Sequence, residues 1–189
     1  MSYFFEGNLL ITYIIICIGI TTIVLKTTKQ YKYIRLICLL VFFTYLYYLI
    51  DITQFPIYMS PSMEEELGGN ILNFIHLIPI TDIFNITSLY NIIATLPMGF
   101  LIPLIFRNKF SLKKMTLISI CTGIILELGQ LCQLLIIGYT LRQIDIDDII
   151  CNAIGVIFGY FAFKVLCKTI FSISEKANMT NLIVDYLPK

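Results

Sequence analysis

Five long apolar runs determine what this chain can fold into. They cover residues 9–25, 36–50, 89–106, 115–137 and 149–167, and charged or Pro- and Gly-containing segments separate them. A helix needs roughly 20 mostly apolar residues to cross the hydrocarbon core of a bilayer, and these runs approach or reach that length. They are apolar on every face, so they lack the alternation of a membrane β-strand. The sequence therefore predicts an all-α, polytopic integral membrane helical bundle with about five transmembrane helices, forming one membrane domain over residues 1–189.

Composition excludes the other broad classes of protein. Of the 189 residues, 58% are hydrophobic and 13% are charged, and the mean hydropathy is +0.88. Soluble domains carry about 25% charged residues, and disordered chains combine low hydrophobicity with high charge. The net charge of +1 lacks the basic excess of a nucleic-acid-binding domain, so we expect no nucleic-acid partner.

The distribution of charge predicts the orientation of the chain. All but one of the 13 Lys and Arg residues fall in segments 26–35 and 107–114 or towards the C-terminus. Short cytoplasmic loops carry an excess of Lys and Arg, so these segments should be cytoplasmic. The N-terminus is then outside, the C-terminus is cytoplasmic, and segment 51–88 is an extracytoplasmic loop. Arg142 is the one basic residue left on the outer side.

Polar residues inside the predicted spans point to a site. Glu127 lies deep in the fourth span, and Gln130 follows at i+3 on the same helix face. A carboxylate at such a depth costs at least about 2.5 kcal/mol on insertion scales, so it should be protonated, paired or turned towards a polar cavity. The alternative is that both side chains bond to neighbouring helices and serve packing alone.

A second polar pattern enters the fifth span from the outer loop. If the helix starts early in that loop, one face carries the stripe Arg142, Asp145, Asp148, Asn152, Gly155 and Gly159. Asp147 points about 100° away from this stripe. The two glycines would let another helix approach closely. The alternative interpretation is an exposed helix start whose acids complement the helix dipole, but Asn152, about a turn inside the membrane, favours a functional site.

The two polar patterns and Asn91 of the third span are expected at similar depths, in the outer half of the membrane, so their side chains can face one another. The sequence predicts a ligand-binding polar cavity open to the outer leaflet. Its predicted residues are Asn91, Glu127, Gln130, Arg142, Asp145, Asp148 and Asn152.

No metal or cofactor is predicted. The six cysteines show no CxxC spacing, and His76, the single histidine, has no second nitrogen or thiolate ligand at a suitable spacing.

Three blocks resemble a known family. They are Asn91-x5-Pro97-x-Gly99-Phe100, Glu127-x-x-Gln130, and Arg142-x-x-Asp145-Ile146-x-Asp148-x3-Asn152-x-x-Gly155-x3-Gly159. In this order they resemble the VanZ-like family of bacterial membrane proteins, over residues 70–163. The segment His76-Leu77-Ile78-Pro79-Ile80 is similar to the Asn-Leu-x-Pro-Phe loop of that family, and Thr95 replaces its usual Phe. The resemblance implies a multi-pass protein of the bacterial cell membrane, related to a protein associated with teicoplanin resistance.

Two functions follow as hypotheses. The first is binding of an amphiphile at the outer leaflet, either a lipid-linked cell-wall precursor or a lipoglycopeptide antibiotic, with Arg142 meeting an anionic head group. The second is an enzyme acting on a phospholipid or polyprenyl phosphate, with Mg²⁺ held through waters by Asp145 and Asp148 and with Glu127 as a buried acid or base. Transport is less favoured, because five spans give no symmetric pair of broken helices.

Overall fold

The computed structural model of the protein describes residues 3–5, 10–27, 31–59, 65–66, 70–79, 85–107, 109–139, 142–176 and 182–188. All seven predicted site residues lie within these ranges. Ile80, the last residue of the loop that resembles the family pattern, lies outside them.

Helices form most of the described chain. They are α1 Leu10–Thr27, α2 Lys32–Gln54, α3 Ile86–Phe106, α4 Leu112–Ile137, α5 Ile146–Lys176 and the short α6 Leu182–Tyr186. Four are long and apolar enough to cross a membrane, over Tyr33–Gln54, Ile86–Phe106, Leu112–Ile137 and Ile146–Lys176, and Ile11–Val24 is a shorter apolar helix. The prediction of an all-α membrane bundle is therefore confirmed.

Short strands join the loops at one end of the bundle. β1 Tyr3–Phe5 pairs antiparallel with β2 Ile57–Met59, which follows α2. β3 Ile75–His76 pairs in parallel with β4 Ile144–Asp145, which comes directly before α5. A 3₁₀ turn, Ile71–Phe74, leads into β3. The second pairing brings the loop that contains His76 beside Asp145, where the sequence predicted a site.

Close approach of α3 and α5 forms the centre of the bundle. A Cβ added at Gly99 would overlap the backbone of Val156, and one added at Gly155 or Gly159 would overlap the carbonyl oxygen of Ile92 or Leu96. Only glycine leaves room for backbones this close, so the predicted contact through Gly155 and Gly159 is confirmed.

Side-chain hydrogen bonds attach the first two helices to this centre. Tyr13 Oη and Thr44 Oγ1, on α1 and α2, lie 2.7 Å apart. Tyr45 Oη on α2 donates to the carbonyl oxygen of Ala94 on α3 at 2.9 Å. α2 therefore lies beside α3, and its C-terminal end reaches the loops that precede α3 and α5.

An aromatic and cationic cluster closes the opposite end of the bundle. The guanidinium of Arg107, after α3, lies 4.7 Å from the ring centroid of Tyr31 and 4.9 Å from that of Tyr186. Arg107 also donates to the carbonyl oxygens of Tyr186 and Asp185 at 3.0 and 3.1 Å. Tyr186 is buried, and burial raises the pKa of its phenol. The C-terminal helix α6 is thus held against the end of α3.

Candidate functional site

A cavity of about 700 Å³ lies at the end of the bundle where the short strands pair. Residues from α2, α3, α4 and the loop and first turn of α5 line it. Five of the seven predicted site residues are among them: Asn91, Gln130, Arg142, Asp145 and Asp148. Glu127 and Asn152 are not among the lining residues, and they are buried, with 4% and 3% of their surfaces exposed.

Asp145 is the N-cap residue of helix α5, whose first residue is Ile146. Its Oδ1 accepts a hydrogen bond from the backbone N–H of Asp147 at 2.8 Å, as an N-cap residue does. The expected helical stripe therefore does not extend to Arg142 and Asp145, because β4 occupies this segment. The stripe begins at Asp148 and continues through Asn152.

Glu127 supports the start of α5 from α4. Its Oε2 accepts a hydrogen bond from the backbone N–H of Asp145 at 3.3 Å, and its carboxyl group interacts electrostatically with Asp148 and Arg142. The carboxyl group of Glu127, which the sequence places deep in a membrane span, is thus hydrogen-bonded to a backbone N–H beside the cavity.

Arg142 holds the C-terminal end of α2. Its guanidinium donates to the carbonyl oxygen of Thr53, and to those of Ile52 and Phe55 at 3.0 and 3.1 Å. The last carbonyls of a helix lack partners within the helix and carry negative partial charge, so a cation there is stabilising. The pKa of Arg142 is lowered, because burial lowers it more than Asp148 and Glu127 raise it. A guanidinium nevertheless stays charged in proteins.

Asp148 and Asn91 face each other across the cavity wall. The side chain of Asn91 on α3 is hydrogen-bonded to the carboxyl group of Asp148 on α5. Below them, Thr95 Oγ1 lies 2.8 Å from the carbonyl oxygen of Asn91 and 2.9 Å from that of Asn152. Thr95, the departure from the family pattern, therefore links α3 to α5 through a polar contact that Phe could not make.

Two buried amide side chains have an unmet acceptor. Gln130 Oε1 and Asn152 Oδ1 find no hydrogen-bond donor among the residues that the structure describes. Gln130 lines the cavity and is 8% exposed. An unpaired buried polar group costs about 1–3 kcal/mol, so a ligand that donates to Gln130 would recover this cost.

The junction of α2 and α4 fixes one side of the cavity. Gln133 Nε2 donates to the backbone oxygen and to Oε1 of Gln54, at 3.0 and 3.1 Å. Gln54 Nε2 lies 3.2 Å from the carbonyl oxygen of Leu126. Gln133, which lies on a different face of α4 from Glu127, therefore has a structural contact.

Sequence reasoning missed several polar residues of the cavity wall. These are Thr53, Asn85, Thr87, Ser88, Gln143 and Asp147. Asp147 had been placed off the stripe, but it is 2% exposed and lies in the first turn of α5. The adjacent acids signal a helix start, and Asn85 caps α3 by accepting from the N–H of Ile86 at 2.6 Å. A search for N-cap residues would have found Asn85 and Asp145.

The cavity also has an exposed apolar side. Ile52 on α2 and Tyr90 and Ile93 on α3 line it while keeping 56%, 62% and 57% of their surfaces exposed. These residues lie near the ends of two candidate membrane spans on the side of the cavity. The cavity wall therefore adjoins apolar side chains of α2 and α3 that lipid would cover in a membrane.

No cluster of three or more His, Cys, Asp or Glu side chains that could hold a metal ion occurs in the described ranges. His76 is exposed, and its backbone pairs with Asp145 in the strand register. Asp145 accepts from the backbone N–H of Asp147, and Asp148 contacts Asn91.

The apolar helices and this buried polar cluster define a multi-pass helical membrane protein with a cavity at one end. The model of the VanZ/LLP1 family matches residues 10–168. The chain therefore belongs to the VanZ/LLP1 family, and the match includes the first two helices as well as the motif-bearing region. No curated protein and no solved structure matches the chain.

Proposed function

We propose that this VanZ-like protein binds an amphiphile at the outer leaflet, with the polar head in the cavity and the apolar tail between α2 and α3. One observation carries the proposal: a wall of carboxyl, amide and hydroxyl groups continues directly into exposed Ile52, Tyr90 and Ile93. Ligand sites of this kind combine an apolar surface with a few placed polar groups. A water-soluble ligand would not need the apolar side.

Lipid-linked cell-wall precursors and lipoglycopeptide antibiotics both have this form. Each joins a large polar head to a hydrocarbon tail, and each occurs on the side of the membrane that positive-inside charge assigns to the cavity. A contribution to teicoplanin-type resistance follows in either case, because the protein would sequester the antibiotic or its target. Localisation in a bacterial cell membrane is part of this proposal.

The phosphate-processing enzyme has less support. It needs carboxylates grouped around Mg²⁺, but Asp145 caps α5, and the described residues contain no group of three or more His, Cys, Asp or Glu side chains that could hold a metal ion. Glu127 accepts from a backbone N–H and is not among the lining residues. Binding is therefore the function that the geometry supports better.

The test measures binding to the purified protein in lipid nanodiscs. The probes are a fluorescent polyprenyl-linked cell-wall precursor, a fluorescent lipoglycopeptide, and the two head groups without tails. We expect one tailed probe or both to bind at least about tenfold more tightly than the matching head group. Equal affinity of the tailed and tail-free forms would contradict the proposal.

A matched pair of variants locates the tail. Ile93→Trp fills the apolar side of the cavity and should weaken binding of the tailed probe by about tenfold. Ile125→Trp changes an exposed residue of α4 that does not line the cavity and should leave binding unchanged. Equal effects of the two substitutions would mean that the tail does not lie between α2 and α3.

A further inference from the structure

We infer that the head group recognised by this cavity carries a primary ammonium, and that the cavity discriminates against a phosphate presented alone. The inference rests on the proposed function, because it assumes that an amphiphile occupies the cavity. It reverses the expectation that Arg142 receives an anionic head group.

The first support is the charge of the wall. Among the described residues that line the cavity, three are carboxylic acids, Asp145, Asp147 and Asp148, and one is cationic, Arg142. A cleft lined by an excess of one sign raises the local concentration of the opposite ion. The occupant favoured by this wall is a cation.

Helix dipoles do not reverse this preference. Each helix end carries about half an elementary charge, positive at the starts of α3 and α5 and negative at the end of α2. Asp145 accepts from the first turn of α5 and so satisfies the positive end of that helix. The start of α3 and the end of α2 have opposite signs and offset each other at the same cavity. The carboxyl excess therefore sets the sign of the field.

The second support is the engagement of Arg142. Three hydrogen bonds direct its guanidinium to the carbonyl oxygens of Ile52, Thr53 and Phe55. A phosphate would have to replace these contacts and leave the end of α2 without donors. Moving Arg142 onto an anion would therefore break the contacts that hold the end of α2 to the loop before α5.

The third support is independent of charge. Gln130 lines the cavity, is more than nine-tenths buried, and has an amide oxygen with no donor within the described part of the chain. A primary ammonium has three N–H donors and no acceptor, whereas a phosphate brings acceptors only. After a rotation of the Gln130 amide, an ammonium in the cavity would donate both to Gln130 Oε1 and to a carboxylate of the wall.

The chemical class is therefore an amine-bearing amphiphile. The amine can belong to a glycerolipid head group, or to a sugar or peptide joined to a hydrocarbon tail. These sources share the ammonium and differ in what surrounds it, and a zwitterionic lipid competitor distinguishes the glycerolipid from the sugar and peptide sources.

The experiment uses the full chain in nanodiscs of phosphatidylcholine. A fluorescent dodecylammonium probe is displaced by four competitors: dodecylamine, N-acetyl dodecylamine, dodecyl phosphate and lysophosphatidylethanolamine. We expect dodecylamine to compete at least about tenfold better than the acetylated and phosphate forms. Competition by lysophosphatidylethanolamine close to that of dodecylamine would assign the amine to a glycerolipid. Its failure beside good competition by dodecylamine would assign the amine to a sugar or peptide, and both results support the inference.

Variants connect the preference to the wall. Asp148→Asn keeps the shape of the side chain and should lower the preference for the amine over its acetylated form by about tenfold, whereas Asp148→Glu should retain most of it. Gln130→Leu should weaken binding of the amine more than binding of dodecyl phosphate. Asp51→Asn removes an acid of the same end of the bundle that does not line the cavity, and it should change nothing.

The outcomes separate this inference from the proposed function. Dodecyl phosphate competing as well as dodecylamine would overturn the ammonium assignment and leave amphiphile binding intact. Failure of every tailed competitor would overturn both. If Asp148→Asn and Asp51→Asn lower the preference equally in folded protein, the selectivity comes from general surface charge, and the assignment to this cavity is wrong.

Discussion

Arg142 and Glu127 act on the backbone, although both are ionisable and both lie at or beside the candidate site. Arg142 donates to carbonyl oxygens at the end of α2, and Glu127 accepts from the N–H of Asp145 before α5. These contacts join α2, α4 and α5 at the cavity. Their first effect is therefore to shape the wall, while Asp148, Asn91 and Gln130 present groups to the cavity itself.

Replacing Arg142 should lower stability more than it changes ligand preference. Arg142→Ala leaves three carbonyl oxygens without their charged donor. A hydrogen bond to a charged group contributes about 1.5–3 kcal/mol to stability. We expect a loss of about 2 kcal/mol or more in the free energy of unfolding, measured by denaturation in mild detergent. Arg142→Lys should recover only part of it, because an ammonium lacks the planar fork of a guanidinium.

Asp148→Asn is the matched comparison for Arg142→Ala, since it changes one lining charge and keeps the side-chain volume. It should alter ligand preference with less effect on unfolding. An Arg142→Ala protein of unchanged stability that no longer binds an anionic amphiphile would show instead that Arg142 contacts the ligand.

At the residue scale, the sequence predicted which residues lie together better than it predicted their contacts. Asn91, Gln130 and Asp148 could be grouped because membrane depth and helix periodicity place them together. The partners of Arg142 and Glu127 could not be predicted, because both bond to backbone atoms more than fifteen positions away, and backbone atoms leave no pattern in the sequence. Asp147 was missed because the periodicity argument admitted a single helix face, whereas both Asp147 and Asp148 line the cavity from the first turn of α5.

At the scale of elements, the contact between α3 and α5 sets the position of the cavity. Gly99, Gly155 and Gly159 bring the two helix backbones together below it, and Thr95 bonds across the same contact. Asn91 and Asp148 lie about one turn further towards the outer end of each helix. Their hydrogen bond therefore depends on the close approach of the glycines.

Gly159→Ala should separate these two helices. The added Cβ would overlap the carbonyl oxygen of Leu96, which is backbone and cannot rotate away. Overpacking of this kind costs about 1–3 kcal/mol, so we expect a lower unfolding midpoint together with weaker binding. Gly19→Ala on α1 is the control, because a Cβ there has no atom within 4 Å. It should be neutral or slightly stabilising, since Ala favours helices more than Gly. A Gly159→Ala protein as stable as Gly19→Ala would contradict the packing argument.

The helices could be predicted from the sequence, whereas the strand pairs could not. A membrane helix produces a long apolar signal in one stretch of chain. β3 and β4 are only two residues each and pair across nearly seventy positions, so neither shows a periodic pattern. This pairing makes Ile144–Asp145 a strand, and α5 begins directly after it, at Ile146.

At the scale of the whole molecule, the two ends differ in charge and in construction. The cavity, its acids and the paired strands lie at one end, and Arg107 with Tyr31 and Tyr186 lies at the other. Lys26 at the end of α1, Arg35 near the start of α2, and Lys113 and Lys114 at the start of α4 lie at the Arg107 end. The positive-inside rule assigns that end to the cytoplasm and the cavity to the outer face.

Accessibility of single cysteines tests this orientation. The six native cysteines are replaced first, and then either Glu66→Cys or Lys109→Cys is introduced; both positions are exposed and lie at opposite ends of the bundle. In intact cells, a membrane-impermeant maleimide should label the variant at position 66. The variant at position 109 should react only after permeabilisation. The reverse pattern would place the carboxyl-rich cavity on the cytoplasmic side. An outer-leaflet amphiphile could then not be its ligand, because the polar head would face the wrong surface of the membrane.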